Sequence, residues 1–287
     1  MSQAASQFRR AVLGLQHHPS RHGLSVAVEV ARLLGLDLFG LFVEDESLMH
    51  LAALPFAREF NPIHGWRAVD GAQLTRDLQA AVSSAQRSFA AAAKTLPSMC
   101  EFVTVRGSMA EAISTHARRD DIVVLSATTA VGEYSAARFP LLIDTALQSA
   151  AAVLLIPQRI ARHAGDVVAI AARPDDPSIR LAAGVARAAN EELVIIELFD
   201  DDAQDRSAQA DDRRATRKAA RAAVSDPALM VAAFRGERER LVVVTQGTGA
   251  ASLPTIVASW RRVPVLVISA ESEARAAAAS GADVAPP

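Results

Sequence analysis

The sequence states one pattern twice, and that repeat limits the folds open to it. Residues 9–45, RRAVLGLQHHPSRHGLSVAVEVARLLGLDLFGLFVED, recur in altered form at 164–200 as AGDVVAIAARPDDPSIRLAAGVARAANEELVIIELFD. The two stretches run in register: Val30-Ala31-Arg32 sits over Val185-Ala186-Arg187, and Pro19 over Pro174. Each reads apolar strand, loop, amphipathic helix, apolar strand, which is the βαβ unit of a parallel sheet. The expected fold class is therefore α/β, with two tandem doubly wound domains, each built on a five-stranded parallel sheet. The first spans 8–158 with an insertion at 46–69, the second spans 164–270, and 271–287 reads as a flexible tail.

Bulk properties agree with this division and exclude several functions. A length of 287 residues accommodates two domains of roughly 150 each, and 51% hydrophobic composition is ample for two cores. Thirty basic against 32 acidic residues leave a net charge of −2, so no domain-wide field would draw in nucleic acid or an anionic membrane. The single cysteine, Cys100, allows no intramolecular disulfide and fits a reducing compartment. MSQAASQFRR carries no long apolar stretch behind its arginines, so it does not read as a secretory signal. No apolar run approaches the ~18 residues that a membrane span needs. The expected location is the cytoplasm.

Along the first copy, strands are expected at 11–15, 38–43, 101–105, 122–125 and 153–156. The first helix runs over 24–34. Leu74, Leu78, Val82, Ala85, Phe89, Ala92 and Leu96 recur every three or four residues and predict a long helix with one apolar face. Ser108 and Glu111 form a capping box that starts a helix running to about Arg118. A further helix is expected over 141–149. Residues 46–69 break the pattern and read as an inserted short helix plus loop.

In the second copy the strands fall at 167–170, 193–198, 229–233, 241–244 and 265–268. A helix lies over 179–189, and the charged, Ala-rich stretch 203–223 reads as a solvated helix. Between the third and fourth of these strands, Gly236 to Arg240 offers too few residues for a parallel crossover, which takes about a dozen. The second domain is therefore expected to be abridged.

Five parallel strands with a Gly-Ser-x-Ala-Glu helix start after strand three resemble the universal stress protein family. The resemblance is carried in the first half by VLGLQ…SVAVEVARLLGLDLFGLFVED, RGSMAEAISTHARRDDIVVLSA and SAAAVLLIP, and in the second by VVAIA…VARAANEELVIIELFD and VVVTQG…VPVLVIS. It implies the tandem form of that family over most of the chain. It also implies a test, because the family's ATP-binding members carry an Asp ending strand one, a Gly near the end of strand four, and a glycine-rich loop beyond. Small residues there let backbone N–H groups close on phosphates. Here Gln16 and Ala171 hold the Asp positions, and Leu125 and Val244 the Gly positions. The loop reads SATTAVGEYSAARFPLL, with Gly132 its only glycine and Arg138-Phe139-Pro140 where Gly-Ser belongs. The expectation is a non-catalytic stress-response protein that takes no cofactor and acts through a protein or small-ligand contact. The alternatives are an ATP- or AMP-binding sensor and, from a different class, a nucleotide-dependent enzyme of the same sheet type.

Should a nucleotide pocket survive, its candidate residues are Gln16, His17, Ser126 and Thr128 in the first half and Gly247, Gly249 and Ser252 in the second. They belong to the carboxyl ends of strands one and four, where open α/β sheets bind ligands. In Gly247-Thr-Gly249-Ala-Ala-Ser252 the glycines suit an anion loop ahead of a helix capped by Ser252, and they suit a tight strand-to-helix turn as well. His17, His18 and His22 crowd one loop, but Pro19 keeps His18 and His22 off a common helical turn, and no Cys or carboxylate stands beside them in sequence. No metal site is expected. His22-Gly23 is similar to the His-rich loop of class I nucleotidyltransferases, yet Leu24 stands where that motif needs a second His. No serine-hydrolase elbow, zincin helix or Walker loop occurs, so no catalytic residue is expected. Cys100 reads as a small core residue.

Two edges remain. VLLI at 153–156 and VLVI at 265–268 would each expose apolar side chains and unpaired backbone at the rim of a sheet. They are expected to pair with each other within the chain, leaving homodimerisation or an unidentified protein partner to other surfaces. The apolar residues of the insertion, Leu48 to Trp66, are expected to pack on this domain or its sister.

Overall fold

The computed structural model describes residues 8–16, 21–61, 65–126, 138–199, 214–220, 234, 238–248 and 251–269. Chain order gives β1 (Arg10–Leu15), α1 (Arg21–Leu34), β2 (Asp37–Asp45), α2 (Glu46–Ala52), β3 (Arg58–Asn61), β4 (Gly65–Ala68), α3 (Gly71–Ala93), β5 (Cys100–Gly107), α4 (Met109–His116), β6 (Asp121–Ser126), α5 (Arg138–Ser149) and β7 (Ala152–Ile156). There follow β8 (Val167–Ala171), α6 (Pro177–Ala189), β9 (Leu193–Phe199), β10 (Arg214–Ala220), β11 (Leu241–Thr245), α7 (Leu253–Arg261) and β12 (Val265–Ile268).

Among the described residues, ten strands form one sheet in the order β10-β9-β8-β11-β12-β7-β6-β1-β2-β5. Either side of its centre the order is the same, third-second-first-fourth-fifth. Within each half the neighbours are parallel, as the βαβ pattern demands. At the centre β12 runs antiparallel to β7, with Val265 opposite Leu155 and Ile268 opposite Ala152. The two apolar edges thus cover each other, and all nine residues involved are buried.

The repeat extends to helix ends. Gly35 closes α1 at φ +67 and Asn190 closes α6 at φ +56, and these are the two residue types that enter the left-handed region at least cost. Beyond them the N–H of Leu36 donates to Ala31 and that of Glu191 to Ala186, at 2.8 and 2.9 Å. Each bond satisfies a helix carbonyl that would otherwise be orphaned. Buried Leu24, Ala27, Val30, Ala31 and Leu34 make the apolar stripe of α1, and Ile179, Ala182, Val185 and Ala186 that of α6. These helices and α3 cover one face of the sheet across both halves, while α4, α5 and α7 cover the other.

Several expectations need correction. Residues 46–69 are not a helix plus loop: after α2 they form an antiparallel hairpin of β3 and β4. Within 203–223, residues 214–220 are a strand and not a helix, parallel to β9 with Arg214 opposite Leu193. A backbone ladder with β9 overrides the helix preference of an Ala- and Arg-rich stretch, and an edge strand tolerates charge. The strand expected at 229–233 and the tail 271–287 lie outside the described residues, and β10 already fills the place beside β9. With β10 ending at Ala220, residues 221–240 connect it to β11, so the shortage that made the second domain look abridged disappears. The helix after Ser108 stops at His116.

Candidate functional site

Doubly wound sheets bind ligands where the strand order reverses, outside the carboxyl ends of the strands. Here those points lie between β8 and β11 and between β1 and β6. In the second half the place is held by a protein side chain. Asp176 precedes α6, with Pro177 at the first helical position, a sequence pattern made for a helix start. Its Oδ1 accepts from the N–H of Ser178 at 2.9 Å and from the Thr245 hydroxyl at 2.6 Å, and its Oδ2 accepts from the N–H of Ala172 at 3.2 Å. Ser178 in turn donates its hydroxyl to the Ile170 carbonyl at 3.2 Å. Asp176, Ser178 and Thr245 are all buried, and together they bolt the carboxyl end of β8 to that of β11.

Such an arrangement suits structure better than catalysis. A carboxylate with three donors is held in its charged form and fixed in one geometry. It offers no proton, and its charge opposes a phosphate at the same spot. The Gly247 turn fits the same picture. At φ +85 this residue takes a conformation that only glycine enters freely, and no atom lies within 4 Å of where a Cβ would sit. The glycine therefore serves the turn, in which Thr248 N–H donates to the Thr245 carbonyl at 3.0 Å.

The structure places the expected candidates as follows. Gln16 and Ser126 end the neighbouring strands β1 and β6, both half-buried. His17, Thr128 and Gly249 lie outside the described residues, as do His18 and the loop 127–137. Ser252 precedes α7 but makes no side-chain cap, because its backbone is already helical at φ −81 and ψ −8 and turns the hydroxyl away from the helix N–H groups. Among the described residues no group of three or more His, Cys, Asp or Glu could hold a metal. No helix there is long and apolar enough to cross a membrane. Sequence reading missed Asp176, Ser178 and Thr245. Asp-Pro-Ser at 176–178 was the available signal, a helix cap in front of a proline.

At the opposite rim of the sheet each half buries a second acid. Asp121 opens β6 and accepts from Arg10 Nε at 3.1 Å and from its terminal nitrogen at 2.7 Å, and also from the Arg118 N–H at 2.7 Å. The same guanidinium donates to the His116 carbonyl and lies 4.4 Å from the Phe39 ring centre. Glu239, just before β11, accepts from Arg261 at 2.5 and 3.1 Å. These pairs are saturated, and the rim is the one where this sheet type does not bind ligands. Cys100 is half-buried against the core at the start of β5. Burial pushes its thiol up, with a smaller push from Asp37 and an opposing hydrogen bond near Leu38, so the thiolate form is disfavoured.

The excursion 46–69 behaves differently from the rest. Phe56 is 75% exposed and Trp66 67%, and Leu51, Leu54 and Phe60 are exposed too. Phe60 and Trp66 meet edge to face at 5.5 Å on the hairpin. These side chains do not pack into either half, contrary to expectation, because a two-stranded hairpin has no second layer to cover it.

Comparison with known proteins agrees with the architecture. No protein-family model and no curated protein matches the sequence. Among solved structures, a universal stress protein from Archaeoglobus fulgidus superposes with a TM-score of 0.61 over 92% of this chain and 98% of its own, at 12% identity. A functionally unknown protein of Pseudomonas aeruginosa PAO1 gives 0.54 over 98% and 100%, also at 12% identity. A second P. aeruginosa protein, whose universal stress protein name is provisional, gives 0.53 over 96% and 100%, at 13% identity. The chain has the universal stress protein-like α/β fold, and the likeness covers the whole of these relatives.

Proposed function

We propose that this chain is a non-catalytic, tandem universal stress protein-like protein of the cytoplasm that acts in a stress response by contacting another protein and does not use ATP. The observation that carries the reading is Asp176, a buried carboxylate fixed by Thr245 where a doubly wound sheet would otherwise receive a ligand. Support from the first half is the residue inventory: Gln16 and Ser126 end the two strands, with neither the aspartate nor the glycines that the ATP-binding relatives are expected to use. The exposed apolar side chains of 46–69 are the contact surface in this reading, since a monomer gains nothing by showing Phe56 and Trp66 to water. The repeated strand order and the paired central strands support two domains that act as one rigid pseudo-dimer.

Isothermal titration with ATP, ADP and AMP tests it. No saturable heat is expected up to about 1 mM nucleotide, where binding would be worth only about 4 kcal/mol. Micromolar binding would overturn the reading in favour of a nucleotide sensor, and turnover of ATP would favour an enzyme.

A further inference from the structure

Between the carboxyl end of β7 and α7 lies a cavity of about 390 Å³ whose walls come from both halves of the sheet. Because β12 is antiparallel to β7, the end of β7 meets the start of β12 and the helix that feeds it. The cavity is therefore distinct from both points where the strand order reverses. Leu155, Ile156 and Pro157 give it one apolar wall, and its polar lining is Gln158, Arg159, Thr255, Ser259 and Arg262. That volume suits a small organic molecule, and so does an apolar wall with few polar groups.

The charge of the site is one-sided. Arg159 and Arg262 both line it, and neither side chain has a carboxylate or hydrogen-bond partner among the described residues. Their neighbours Arg162 and Arg261 are paired to Glu239. Arg262 also stands in an unfavourable conformation. It ends α7 at φ +55, a backbone state that Gly35 and Asn190 occupy at the ends of α1 and α6 at lower cost. An arginine kept where glycine would fit better is kept for its side chain. Two guanidinium forks in a concave, partly apolar site match an oxyanion with two negative charges, which a phosphomonoester carries and a single carboxylate does not.

We propose that this junction cavity binds the phosphomonoester of a small organic molecule, with Arg159 and Arg262 on the phosphate and the Leu155 to Pro157 wall against the organic body. Such a ligand touches both halves and stabilises their junction. The proposal stands apart from the question of ATP use, because it involves neither Asp176 nor the ends of β1 and β6.

Calorimetric titration of the full chain with phenyl phosphate, benzoate, inorganic phosphate and phenol tests it. Phenyl phosphate is expected to bind one to one with a Kd of about 10–300 µM, at least ~10-fold tighter than benzoate or inorganic phosphate, and phenol not at all. It should also raise the thermal midpoint as it saturates. Arg159→Ala and Arg262→Gly should each weaken phenyl phosphate by about 10-fold or more, the loss expected of a charge-assisted contact. Arg262→Gly relieves the left-handed backbone, so its midpoint without ligand should rise, which separates lost binding from lost fold. Asp176→Asn should leave the affinity unchanged. Absence of saturable phenyl phosphate binding would overturn the proposal. So would full affinity in both arginine variants, or benzoate binding as tightly as phenyl phosphate.

Discussion

The two halves of the sheet share strand order and helix caps, but they lock their ends with different chemistry. In the first half the buried acid Asp121 is clasped by Arg10, on the strand beside it. In the second, Glu239 is clasped by Arg261, which comes from a helix. At the carboxyl rim the second half adds the Asp176–Thr245 bolt, whereas the register places Arg21 and Ser126 there in the first. Apolar strands and left-handed caps thus survived as a scaffold in both copies. The polar fastenings are interchangeable, provided that every buried charge finds a partner.

The largest effects are expected at the buried ion pairs. Asp121→Ala leaves the Arg10 guanidinium unmatched and should cost about 3–5 kcal/mol, and Glu239→Ala should cost a similar amount through Arg261. Urea denaturation of both variants reads the losses. Because the halves form one sheet, each variant should lower a single transition, and a separate early transition confined to one half would break the comparison. Asp176→Ala comes next, at about 2–3 kcal/mol, because it orphans the Thr245 hydroxyl and two buried N–H groups. A cost below about 0.5 kcal/mol would show that water replaces the carboxylate and that the crevice is open.

Gly40 sharpens the contrast further. In register it faces Ile195 of the second half, yet a Cβ at Gly40 would lie 2.8 Å from atoms of both Phe89 and Phe102. The first half spends that space on the two rings, tilted against each other at 5.4 Å, where α3 packs on the sheet. Gly40→Ala should destabilise by about 1–3 kcal/mol through overpacking, measured by thermal unfolding. The smallest effect is electrostatic. Hydrogen bonds from the Ser108 N–H and hydroxyl hold the Glu111 carboxyl below its usual range. A lowered folded value means that the contribution is present above the ordinary carboxylate range and is lost as the pH falls through the folded value. Glu111→Gln should therefore lose a little stability near neutral pH and none in acid, so the difference in thermal midpoint from wild type should vanish by about pH 3.

Much of the scaffold was legible because it depends on local pattern. Apolar runs bounded by turn residues marked the strands, Ser108 and Glu111 marked their helix, and the two unprotected edges at 153–156 and 265–268 had only each other to cover them. The strand at 214–220 was hidden because its composition favours a helix and only pairing with β9 decides otherwise. The hairpin was hidden for a related reason: Phe60 and Trp66 are both exposed, so no alternation of buried and exposed residues announced it. The Asp176 fastening escaped because Thr245 lies 69 residues away in the chain, and a contact of that range leaves no local trace.

The claim that this sheet has exchanged a nucleotide for its own side chains meets its most direct test in amide NMR of the full chain titrated with ATP. The N–H signals of Ala172, Ser178 and Thr245, and those of Gln16 and Ser126 at the matching strand ends, should stay in place to about 5 mM ATP. Saturable shifts of any of these signals at micromolar ATP would contradict it.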